Sequence, residues 1–160
     1  MRVNVQSRDL ARLARDLRNL PDGPKIRRRM VAEMRREAQP VAIAVRSAYL
    51  SGPSHQSGPS HLRAALAKAV TIQVKASGRD AGLRIRVAGK KMPDGMGSLP
   101  KRYEGTGRWR HPTFGRDPWV GQDARPTFYK TVRLFVPRVV TGVERVYAQY
   151  ERLVSGKRVA

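Results

Sequence analysis

The chain has 160 residues, 33 of them basic and 12 acidic, for a formal net charge of +21. That length suits one domain with a core of its own, and the absence of cysteine excludes a disulfide framework, thiolate metal sites and a Cys nucleophile. No apolar run reaches the roughly 18 residues of a membrane span, and the first residues lack the apolar segment of a secretory signal.

A charge this large makes a polyanion the expected partner, nucleic acid first. The charge is spread along the chain, at about +7 over residues 1–50, +6 over 51–100 and +8 over 101–160 by simple counting. The body is basic, rather than a tail on a neutral domain.

Residues 7–20 carry Leu10, Leu13, Leu17 and Leu20 at helical spacing behind Ser7, a candidate N-cap. Pro21-Asp22-Gly23-Pro24 ends that helix and opens a longer one, whose apolar side is Ile26, Met30, Met34, Val41 and Val45. Pro40 is expected to kink or end it. Residues 51–61 repeat the unit SGPSH around one Gln and read as a flexible linker, with a short helix over 61–69 behind Ser60.

The clearest strand signal follows. Val70, Ile72, Val74 and Ala76 alternate with polar residues, and after a turn Leu83, Ile85 and Val87 alternate with Arg84 and Arg86. This is a hairpin with one apolar and one basic face. The basic face is either a solvated outer surface or a surface for a polyanion. The last element, over 126–154, sets Val132, Val136, Val139, Val143, Val146, Tyr150 and Leu153 on a heptad seam interrupted by Pro137, where a kink or a late start is expected.

Between hairpin and last helix lies a long connection, residues 100–128. It holds both tryptophans, two of the three phenylalanines, four glycines, four prolines and six basic residues. Loops of this length are functional or disordered, and aromatic content argues against disorder. Arg108, Trp109, Arg110, Phe114 and Trp119 interleave cations with stacking surfaces, as single-strand binders do. The same residues describe a loop anchored in protein pockets, where Trp and Arg are favoured. The protein interface is the preferred reading.

No catalytic constellation is present. His55 and His61 lack acidic or Cys partners nearby, His111 stands alone, and no Gly-rich segment has phosphate-loop form. The expectation is a non-enzyme without cofactor or metal. The fold expected is α+β: helices in residues 1–50, the linker 51–61, a helix, small antiparallel sheet and long aromatic loop in 62–125, and a C-terminal helix on the sheet over 126–154, all in one domain.

The order of elements, with Tyr103-Glu104-Gly105-Thr106 at a strand end and Ala124-Arg125-Pro126-Thr127-Phe128 entering the last helix, resembles the tail-completion (tail-to-head joining, minor tail) proteins of long-tailed bacteriophages. Their aromatic-Glu-Phe-Gly-Thr motif lacks its Phe here, and Thr127 is inserted between Pro and Phe. Arg110-His111-Pro112-Thr113-Phe114-Gly115 followed by Trp119 looks like the version in phages of actinobacteria.

The resemblance implies a structural virion protein of the neck, assembled in the host cytoplasm. It would form a ring, commonly a hexamer, that contacts neighbouring connector and major tail proteins and lets genomic DNA pass without sequence readout. On that reading Tyr103, Trp109, Phe114, Trp119 and Phe128 are candidates for the subunit interface. Lys75, Arg84, Arg86, Arg108 and Arg110 are candidates to face DNA. The alternative is a stand-alone basic nucleic-acid-binding protein of architectural type.

Overall fold

A computed structural model describes residues 2–6, 8–52, 61–77, 81–93, 95–113 and 116–158. The expectations that fall on Ser7, Phe114 and most of the SGPSH linker lie outside these residues. The elements in chain order are β1 (Arg2–Gln6), α1 (Arg8–Asp16), α2 (Gly23–Leu50), α3 (His61–Ala69), β2 (Val70–Lys75), β3 (Gly82–Val87), α4 (Leu99–Tyr103), β4 (Arg108–Thr113), β5 (Arg116–Asp123) and α5 (Thr127–Arg158). The fold is mixed helix and sheet, with the C-terminal helix packing on the sheet. One sheet has the order β1-β3-β2, and β4 and β5 form a second.

The chain divides into two compact units. One comprises Val41–Thr71 and Arg86–Leu134. The other comprises Arg2–Pro40, Ile72–Ile85 and Phe135–Ala160.

In the second of these, Leu10, Leu13 and Leu17 are buried, as their spacing requires. A single 3-10 turn, Leu17–Asn19, links α1 toward α2. Gly23 opens α2 because nothing larger fits: a Cβ there would stand 1.7 Å from the Leu17 carbonyl oxygen. Met30 and Met34 are fully buried, and Tyr150 of α5 donates a hydrogen bond to Glu33 Oε1 at 2.9 Å. Gly142 lets the Glu37 carboxylate lie against the α5 backbone, where a Cβ would meet Oε2 at 2.4 Å. The seam residues Val139, Val143, Val146 and Tyr150 are buried within the chain, whereas Leu153 is 39% exposed. The heptad spacing therefore serves the protein's own core, and Val154 replaces Leu153 at its end.

In the first unit, Val41, Val45 and Tyr49 of α2 are buried, as are Leu66, Val70, Tyr103, Phe128 and Val132. Arg63 of α3 donates to the carbonyls of Leu50 (3.3 Å) and Gly52. A cation thus satisfies acceptors left open at the C-terminus of α2, where the helix dipole favours positive charge. Arg46 donates to the Val70 carbonyl at 3.0 Å and ties α2 to the start of β2.

Three features differ from the sequence reading. α2 and α5 each run as one helix through Pro40 and Pro137, so Pro40 does not end α2 and Pro137 does not delay the start of α5, and the burial of their apolar sides outweighs a cost of about 3 kcal/mol per interior proline. β1 was not anticipated; Val3 and Val5 alternate, but over too few residues to register as a period. Residues 100–128 are not a long loop: they hold α4 and an antiparallel β4–β5 hairpin.

Candidate functional site

The two motif ends that flank the hairpin meet in the first unit. Arg125 N–H donates to the Tyr103 carbonyl at 2.6 Å, and Ala124 N–H to the Gly107 carbonyl at 2.9 Å. Gly107 has φ +83°, the left-handed conformation that favours glycine, and so turns the chain into β4.

Glu104 is the centre of this joint. It is 8% exposed, the one buried charged residue among the described residues. Its Oε1 accepts from the backbone amides of Thr127 (3.1 Å) and Phe128 (2.8 Å) and from the Tyr49 hydroxyl (3.0 Å). The first two amides of α5 have no partner inside their own helix. A carboxylate 23 residues earlier supplies one, where the dipole favours negative charge. Tyr49 and Tyr103 pack edge to face with centroids 5.8 Å apart.

Burial pushes the Glu104 carboxyl above its ordinary value, against the hydrogen bonds from Phe128, Tyr49 and Thr127, which lower it. Oε2 is buried and has no hydrogen-bond partner. Desolvation first, and then the neighbouring Glu104 charge, push the Tyr49 hydroxyl strongly up, so it stays a donor.

Two interface expectations are corrected here. Tyr103 is 3% exposed and Phe128 is 0% exposed. Both belong to the chain's own core around Glu104 and offer no surface to a neighbouring subunit. Their motif positions mark the joint between hairpin and last helix.

The hairpin sorts the remaining aromatics. β4 and β5 pair antiparallel, with Arg108 opposite Asp123, Trp109 opposite Gln122, Arg110 opposite Gly121 and Pro112 opposite Trp119. Side chains alternate between faces along a strand and directly opposed residues share a face. Arg108, Arg110, Trp119, Gly121 and Asp123 therefore lie on one face, and all are exposed. Trp109 lies on the other face and is half-buried. Trp109 and Trp119, grouped together by the sequence reading, are thus separated, and Trp119 joins the arginines.

Gly121 shapes the exposed face. A Cβ there would stand 2.7 Å from Arg108 Nε and 2.9 Å from Nη2. The guanidinium lies across the hairpin over the glycine, two residues along β5 from Trp119. Trp119 itself is 52% exposed.

The other basic candidates belong to a different sheet. Lys75 of β2 and Arg86 of β3 are exposed and Arg84 is half-buried, while Leu83, Ile85 and Val87 are buried. The alternation read from the sequence is therefore present on β3.

Sequence reasoning missed two features. Glu104 was visible as a motif residue, but its capping role depends on contacts 23 and 24 residues away. Of the exposed apolar set of the first unit, Trp119 on β5 was already an interface candidate, whereas Ile43 (56%) and Leu50 (55%) on α2 and Tyr129 (48%) and Leu134 (80%) on α5 were unforeseen.

Among the described residues no group of three or more His, Asp or Glu could hold a metal ion, and no helix is long and apolar enough to cross a membrane. Comparison of the chain with protein-family models, with curated proteins and with solved structures returned no match.

Proposed function

We propose that the chain is a ring-forming structural protein of a bacteriophage neck, a head–tail connector of the completion or terminator type that joins the tail to the DNA-filled head. The observation that carries this reading is the exposed apolar set of the first unit. Four large apolar side chains, Ile43, Leu50, Tyr129 and Leu134, each about half or more exposed, stand on α2 and α5. Leu134 lies opposite the buried Phe128–Val132 side of α5 and is 80% exposed. Single exposed apolar residues are ordinary, but a set in one unit suits an interface. In a closed ring each subunit offers one patch to a different patch on its neighbour, so these residues need not be self-complementary.

The Glu104 joint supports the resemblance behind the proposal. Its two short motifs, far apart in sequence, form one hydrogen-bonded unit, which gives a physical reason for them to occur together. The partners would be copies of the chain, a hexamer in the expected case, with adjoining neck and tail proteins. DNA would pass through the ring by nonspecific phosphate attraction, in keeping with a charge of +21.

The alternative of a stand-alone nucleic-acid-binding protein draws on the grouping of Arg108, Arg110 and Trp119. The mass of the assembled particle separates the two. The expected result is a closed oligomer that survives high salt, because apolar contacts are not screened, and that Leu134→Glu or Ile43→Glu reduces to monomers without loss of helix content. A chain that stays monomeric at all concentrations and fails to join tails to DNA-filled heads would sink the neck reading.

A further inference from the structure

We infer that the exposed face of the β4–β5 hairpin is a binding site for single-stranded nucleic acid, with Trp119 stacking on a base while Arg108 and Arg110 hold the flanking phosphates. The inference does not rest on the ring reading. The register puts the three side chains on one face. Residues on one face of a strand repeat every ~6.7 Å, the scale of one nucleotide step in an extended single strand. The backbone positions of Arg108 and Arg110 match that repeat, and the Arg108 guanidinium reaches across to the Gly121 rung.

The face is also flat where a base would sit. Gly121 stands opposite Arg110 and carries no side chain, and the Arg108 guanidinium lies over it. A planar cation and a half-exposed indole are therefore neighbours on one surface. Aromatic stacking platforms in a cationic groove bind single strands without sequence preference, because every base has a π-face. Among the residues whose side chains are described, the charged groups on this face are Arg108, Arg110 and Asp123, and Asp123 sits at the hairpin's open end, opposite Arg108.

Other occupants fit less well. A second copy of this chain would have to bring acidic groups to this cationic face, and it has 12 acidic residues against 33 basic. Duplex DNA would use the arginines but hides its base faces, leaving Trp119 without a role. An acidic peptide would likewise be held by the cations with little contribution from the ring.

The test is fluorescence anisotropy of labelled oligo(dT), of a matched duplex and of polyglutamate, against the full-length protein and the variants Trp119→Ala, Trp119→Phe, Arg108→Ala and Arg110→Ala. Helix content by circular dichroism checks that each variant is folded. The expected result is preferential binding of oligo(dT), a loss of roughly tenfold in Trp119→Ala, and retention in Trp119→Phe, which keeps an aromatic face. Each arginine variant should flatten the dependence of log affinity on log salt by about 0.7, one phosphate contact on a single strand. Equal binding of single strand and duplex, or oligo(dT) affinity unchanged in Trp119→Ala, would overturn the inference, as would tighter binding of polyglutamate. Particle mass measured on the same samples keeps the two readings apart: rings without single-strand preference sink only this inference, and single-strand binding by a monomer sinks only the neck proposal.

Discussion

Glu104 concentrates more of this protein's structure than any other residue. Its Oε1 serves two backbone amides and one tyrosine hydroxyl. Glu104→Ala leaves the Phe128 amide and the Tyr49 hydroxyl buried and unsatisfied, each a loss of about 1–3 kcal/mol, and removes the partner of the part-buried Thr127 amide. The expected cost is roughly 3 kcal/mol or more, read as a shift in the denaturant midpoint at unchanged slope. Glu104→Gln keeps a carbonyl acceptor and should cost about 1 kcal/mol. The pH dependence follows from the raised carboxyl. A group whose folded value lies above the unfolded one, ~4.3 for Glu, contributes stability that is full below the unfolded value. That contribution declines as pH rises through the folded value. The difference in unfolding free energy between wild type and Glu104→Gln should therefore shift against wild type as pH rises from 4 through the folded value, and a difference independent of pH would refute it.

Tyr150 behaves alike at the alkaline end. Burial first, and then its hydrogen bond to Glu33, push its hydroxyl up to about 12. Spectrophotometric titration should find Tyr150 and Tyr49 still protonated at pH 11 in the folded protein. The stability that Tyr150 contributes is present below the unfolded value near 10 and is lost as pH rises through about 12. Gly23 is a steric case. Gly23→Ala forces the Leu17 carbonyl away from a Cβ that would otherwise stand 1.7 Å from it. A cost of about 1–3 kcal/mol is expected, a fall of roughly 2–10 °C in Tm for a chain of this size.

At the scale of elements, periodicity decides what can be read in advance. α2, α3, β3 and α5 each bury one side, so their apolar residues recur at 3.6 or 2 and their bounds follow from the sequence, whereas on β2 only Val70 is buried and Ile72 and Val74 are half-buried like their polar neighbours. The β4–β5 hairpin has no such signature. One face is exposed arginine, tryptophan, glycine and aspartate, and the other carries a half-buried Trp109, so no apolar alternation runs along it. Pro112 and Pro118 argue against strands, yet both strands of a two-stranded sheet have a free edge, where proline is tolerated. The same asymmetry predicts unequal roles for the two tryptophans. Trp119→Ala should change stability by no more than about 0.5 kcal/mol, as for other exposed sites. Trp109→Ala should cost roughly 1–3 kcal/mol through lost packing, and thermal melts of the two variants would show it. Equal melts would place both rings on the same face and overturn the register.

At the scale of the molecule, charge and apolar exposure point to different partners. A net charge of +21 favours polyanions and opposes self-association through charged faces. The apolar residues Ile43, Leu50, Tyr129 and Leu134 favour protein contact that salt does not weaken. The sequence by itself determined the basic body, the long helices and the β2–β3 hairpin, because charge and periodicity are local properties of the chain. Only the tertiary structure decided that Tyr103 and Phe128 are core, that Glu104 caps a helix 23 residues away, and that Trp119 shares a face with Arg108 and Arg110. Those facts depend on strand register and on which distant amides lack partners, and pairing across the fold settles both.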